Sequence, residues 1–155
     1  MRCLSMMACL LGLSIAPTIA YGVTPAMHHA TGTFEVKLQP QPAREDAGLG
    51  RLSLDKVFNG PLAAVSRGEM LAARTAQQDS AAYVVIESVE GTLDGRAGGF
   101  VLVHRGLLDR GAQTLAISVV PDSGTGNLAG LRGEMNIRIE GGVHYYDFDY
   151  TLPDS

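Results

Sequence analysis

At 155 residues, with twelve basic side chains against sixteen acidic ones and a net charge of −4, the chain has room for one modest domain and carries no cationic surplus. No basic stripe interleaved with aromatic residues is present, so nucleic acid is not expected as a partner. Nineteen glycines and no tryptophan point to a fold with many tight turns.

In chain order, residues 1–20 read as an export leader. Arg2 supplies a minimal positive start, Leu4 to Ile15 an apolar stretch, and Pro17-Thr18-Ile19-Ala20 a small residue at the expected cleavage point. The expected product is periplasmic or secreted. It crosses no membrane once cleaved, because no later apolar run approaches the ~18 residues that a spanning helix needs. The two cysteines, Cys3 and Cys9, leave with the leader. The mature domain is therefore expected to hold neither a disulfide nor a thiol nucleophile. Cys9 is not read as a lipidation site, since the apolar run lies mostly after it.

Residues 21–30, with Pro25 and the His28-His29 pair, are expected to form a linker, and residues 31–155 the domain. No third ligand stands at a useful spacing from the two histidines, so neither a metal nor a cofactor is expected. From Thr31 the pattern is alternation broken by turn residues. It predicts eight strands, at Thr31–Gln39, Arg51–Asn59, Ala64–Ala76, Ala82–Leu93, Gly99–Gly106, Gln113–Val120, Gly133–Glu140 and Val143–Leu152. Asn59-Gly60-Pro61, Asp94-Gly95, Asp109-Arg110-Gly111 and Gly141-Gly142 supply the turn chemistry. Short strands so spaced predict an all-β sandwich or barrel, and the one-sided faces of the hairpins favour an eight-stranded closed antiparallel barrel. The weakest strand is the third, where Glu69 to Ala73 would also suit a helical turn.

A two-residue loop at Gly141-Gly142 pairs Ile139 with His144, Ile137 with Tyr146 and Met135 with Phe148. The opposite face carries Arg138, Tyr145, Asn136 and Asp147 and belongs to solvent. Around Asp94-Gly95, any even-length loop pairs odd residues with even ones. Glu87 then shares a face with Leu102 and His104, on the side that holds Tyr83, Val85, Val89 and Phe100, while Arg105 faces out.

A carboxylate and an imidazole projecting into an apolar lumen make Glu87 and His104 the leading site candidates. A buried structural pair is the plainer reading. Lys56 alternates in phase with Leu52, Leu54 and Phe58, which places an ammonium on the same apolar face. It needs a partner there, for which Glu69 is a candidate, or it reaches out to the rim. His144, beside a turn, is expected at a barrel end. Gly124-Thr125-Gly126-Asn127-Leu128-Ala129-Gly130 mimics a dinucleotide fingerprint, but no helix follows it, and it reads as a glycine-rich loop. The absence of a Gly-x-Ser-x-Gly elbow argues against an α/β-hydrolase.

Ala30 to Val36, Lys56 to Gly60, Tyr83 to Glu87 and Gly91 to Arg96 recur in order. Phe100 to His104, Val119 to Gly126 and His144 to Leu152 follow them. Together these segments resemble a bacterial family of unknown function, domain family 3224, with an allene-oxide-cyclase-like barrel. The resemblance spans about Ala30 to Leu152, and its most specific piece is Ser123-Gly124-Thr125-Gly126 after Val119-Val120-Pro121. It implies an eight-stranded antiparallel barrel and supplies no activity, since no cyclase catalytic motif matches this chain residue by residue. The leader departs from the family pattern, because many relatives begin directly at the first strand.

Three functions are compatible with these residues. The first is a barrel that binds a small, largely apolar molecule, with Phe34, Val36, Tyr83, Phe100, Leu102, Ile137 and Tyr146 as lining. Lys56, Glu87, His104 and His144 would then be its polar contacts. The second is an isomerase or cyclase in which Glu87 and His104 move protons. The third is a filled barrel that acts through its surface.

Overall fold

The computed structural model describes residues 25–43 and 48–153. The segment read as a leader, its expected cleavage at Ala20 and both cysteines lie outside the described residues. Eight strands run β1 (Met27–Gln41), β2 (Gly50–Asn59), β3 (Leu62–Arg74), β4 (Ala81–Leu93), β5 (Arg96–Asp109), β6 (Ala112–Val119), β7 (Arg132–Glu140) and β8 (Val143–Thr151). They form a closed antiparallel barrel in sequence order, with β8 returning to β1. No helix among the described residues is long and apolar enough to cross a membrane.

Each wall obeys the two-residue period of a strand, one side chain in and the next out. In β4, Val85, Glu87 and Val89 are buried, while Val84, Ile86, Ser88 and Glu90 are exposed. The tight turns fix this phase. Asp94-Gly95 (φ 47° and 76°) and Gly141-Gly142 (φ 57° and 82°) hold positive φ at both central residues, the conformation that matches strand twist in a two-residue hairpin. The expected partners follow: Ile139 opposite His144, Ile137 opposite Tyr146, and Glu87 opposite Leu102.

Two expectations need correction. The segment assigned to a linker is in part strand: β1 begins at Met27, paired with Thr151, and Ala30 packs into the core. The reason is β8, whose last residues would be an unpaired edge without Met27–Ala30 beside them. The third strand is a strand throughout, and its register to both neighbours passes Gly68 without a bulge. Glu69 therefore faces outward, where its carboxylate accepts from Arg51 Nε at 3.0 Å, and is not the partner of Lys56.

The two ends of the barrel differ. One end carries the β2–β3 and β4–β5 turns and the 120–131 connection, whose Leu128 and Leu131 are fully buried against the core. Leu62, Leu93, Phe100, Phe148 and Tyr150 join them in one apolar cluster. This connection also completes the wall where β6 has stopped. Val101 N–H donates to Ser123 Oγ at 3.0 Å and Gly99 N–H to Thr125 Oγ1 at 2.9 Å, while Thr125 N–H donates to the Gly99 carbonyl. The serine-glycine-threonine-glycine run is thus a lock that replaces ladder hydrogen bonds with hydroxyls. At Gly124 an added Cβ would lie 2.0 Å from the Leu128 carbonyl oxygen, which explains a glycine between them. The opposite end, with the β1–β2, β3–β4, β5–β6 and β7–β8 connections, has no such plug among the described residues.

Candidate functional site

Midway along the barrel the apolar packing is interrupted by four polar side chains. Lys56, Ser66, Glu87 and His104 are 6%, 3%, 0% and 4% exposed. They come from β2, β3, β4 and β5, one from each of four neighbouring strands, and the alternation of each strand aims them inward. Glu87 is the hub. Its Oε2 accepts from Lys56 Nζ at 2.7 Å and its Oε1 accepts from the Ser66 hydroxyl at 2.5 Å. His104 Nε2 also lies 2.9 Å from Oε2, off the ideal hydrogen-bond line. That nitrogen is buried without an aligned hydrogen-bond partner among the described residues.

Gly68 makes the cluster possible. It stands opposite both Leu54 and Glu87, between β2 and β4, at an inward position. An added Cβ would meet the Ile86 carbonyl oxygen at 2.6 Å and Glu87 Cβ at 3.2 Å. Without a side chain there, Lys56 reaches across β3 to Glu87. The ammonium also sits 5.1 Å from the Phe34 ring centroid and 5.5 Å from that of Phe58, a cation–π environment on its apolar side.

The electrostatics follow from these contacts. Burial alone would raise the pKa of Glu87. The His104 ring, the Lys56 ammonium and the Ser66 hydroxyl together outweigh it and bring the value from 4.5 down to about 2. Glu87 is therefore ionised at any ordinary pH, the counter-ion of Lys56. A carboxylate so firmly deprotonated is a poor acceptor for a substrate proton.

Between this cluster and the unplugged end lies a cavity of about 420 Å³. Phe34, Val36, Leu38, Leu54, Val85 and Ile137 make its apolar wall, and Lys56 and His104 its polar floor. Tyr83, Gln113, Ile139 and His144 stand around its mouth. Tyr83 lies flat over Gly106, its register partner, where an added Cβ would come within 2.0 Å of the ring. His144 packs on Phe34 at 5.1 Å between ring centroids. The carboxylate of Glu87 is set behind Lys56, and no acidic residue lines the cup.

Of the residues expected from the sequence, Phe34, Val36, Lys56, Tyr83, His104, Ile137 and His144 line the cup. Phe100, Leu102 and Tyr146 lie in the packed core. Lys56 neither pairs with Glu69 nor reaches the rim; its partner is Glu87. Ser66 was not foreseen, although it alternates in phase with Leu62 and Ala64 and that parity would have found it. His28 stacks on Tyr150 and His29 pairs with Asp149 at 2.6 Å, both outside the cup. No grouping of metal-ligating side chains occurs among the described residues.

Fold and site together define a class: a small antiparallel barrel, plugged at one end, with a buried Lys-Glu pair at the floor of a cup at the other. The chain belongs to the DUF3224 family, described as proteins of unknown function, whose model matches residues 30–150. A crystal structure of a protein with unknown function from this family, from Shewanella oneidensis MR-1, is 48% identical. The match covers 83% of this chain and all of that one, with a TM-score of 0.78. No curated protein matches the chain.

Proposed function

We propose that this protein is an exported barrel that binds a small, largely apolar molecule in the cup between the Glu87 cluster and the unplugged end. The observation that carries the reading is the cup itself. An apolar wall around about 420 Å³ with two convergent polar groups at its floor has the make-up of a small-molecule site. Export rests on the leader at residues 1–20.

Binding is favoured over proton transfer by one further fact. Glu87 is held near 2, so it serves as a fixed counter-ion and leaves His104 as the sole acid–base candidate of the expected pair. An isomerase would show turnover that collapses in His104→Gln while binding survives.

Native mass spectrometry of the mature protein, purified gently from its own host, tests the reading. The expected result is a reproducible extra mass on a chain that starts at Tyr21, lost on denaturation and in Val36→Trp, which fills the cup. A clean apo mass from host material, with identical spectra for the wild type and the cup-filled variant, would move the function to the outer surface.

A further inference from the structure

We propose that the ligand presents an uncharged hydrogen-bond-accepting oxygen, a carbonyl, to the floor of the cup, where Lys56 donates to it. The inference rests on the cup being a binding site, and it assigns the chemical class of what the cup takes.

An ammonium has three N–H groups. Among the described residues Lys56 Nζ donates one hydrogen bond, to Glu87, and its other neighbours are the faces of Phe34 and Phe58. A buried donor without an acceptor is costly, and a ligand that brings the acceptor recovers that cost. His104 borders the cup beside Lys56, but its buried Nε2 lies 2.9 Å from Glu87 Oε2, so the spare donors at the floor are those of Lys56. Both side chains line the cup, and the carboxylate oxygen that contacts them belongs to Glu87, behind them.

Charge then selects among acceptors. The Lys56 ammonium and the Glu87 carboxylate cancel each other. A carboxylate ligand would add an uncompensated negative charge at a largely apolar site. An amine would bring more donors and a positive charge to a wall that contains no acidic residue. A carbonyl oxygen accepts from Lys56, adds no charge, and leaves its alkyl substituents to Phe34, Val36 and Ile137. The floor is neutral as a whole and short only of an acceptor.

Three probes of about nine carbons each separate these cases: methyl heptyl ketone, nonanoate and nonylamine. Each is titrated into the mature protein at about pH 7.5 by calorimetry, and the carbonyl stretch of the bound ketone is read by infrared spectroscopy. The ketone is expected to bind at least about tenfold more tightly than either charged probe. Its stretch is expected at lower frequency than in hexane, and that shift is expected to vanish in Lys56→Met/Glu87→Leu, which removes both charges together. Equal affinity for the three probes, tighter binding of nonanoate or nonylamine, or an unshifted stretch in the wild type would overturn the carbonyl assignment and leave the cup as an apolar site. Absence of binding by all three, with a clean apo mass from the host, would remove the binding reading and this inference with it. The wild-type stretch alone decides the assignment should the double variant not fold.

Discussion

At the scale of single residues the decisive group is Glu87. Fully buried and ionised, it makes Lys56 tolerable inside the barrel, and each is strongly destabilising without the other. Glu87→Gln is expected to cost about 3–5 kcal/mol at neutral pH by urea unfolding, because it leaves the ammonium unpaired. Lys56→Met/Glu87→Leu is expected to recover most of that loss. The folded carboxyl lies at about 2 and the unfolded one near 4.5, so the unfolded chain binds the proton more tightly. Stability from this group is present in full above about pH 4.5 and is lost as pH falls through the folded value, on the order of 3 kcal/mol in all. Urea midpoints between about pH 6 and 2.5 should fall less steeply in Glu87→Gln than in the wild type, and parallel slopes would contradict this account. Parity across the Asp94-Gly95 turn was enough to put Glu87 and His104 on one side. The pairing with Lys56 was not legible, because it crosses a whole strand at Gly68 and depends on that strand having no bulge.

At the scale of elements, the barrel wall is uneven. β6 and β7 share a single ladder pair, Ser118 opposite Glu134, whereas the other neighbours pair along most of their length. Backbone groups on the facing edges above that pair lack the ladder that protects β4 on both sides. By hydrogen exchange, amides on these edges of β6 and β7 are expected to exchange well before any β4 amide, and uniform protection around the barrel would show that the seam is shut. Leu115 and Ile137 flank the seam and line the cup, so exchange there should also slow when a ligand binds. Strand number and pairing order were readable from alternation and turn residues. The seam was not, since both strands alternate well. Its one sequence signal was length: residues 120–131 join β6 to β7, where two-residue turns join β4 to β5, β5 to β6 and β7 to β8.

At the scale of the molecule, the barrel divides its labour between a packed half and an open half. Leu128 and Leu131 close the packed half, so Leu128→Ala should cost about 2–5 kcal/mol of stability by opening a void there. Affinity for a cup ligand should change little, since the plug and the cup occupy opposite ends; a matching loss of affinity would mean that the two halves are coupled. Eight alternating strands suited a sandwich as well as a barrel. The one-sided hairpin faces and the family resemblance pointed to the closure observed. Which end would be stoppered was not legible, because the 120–131 run reads as a plain glycine-rich loop until its hydroxyls are seen bonded to β5. One consequence concerns how the molecule stands relative to anything fastened to it. Met27 and Thr151 are register partners, so β1 starts and β8 finishes at the stoppered pole. A tag, fusion partner or surface linker joined directly at Met27 or Thr151 therefore leaves from the base, and a barrel immobilised there faces the solution mouth first.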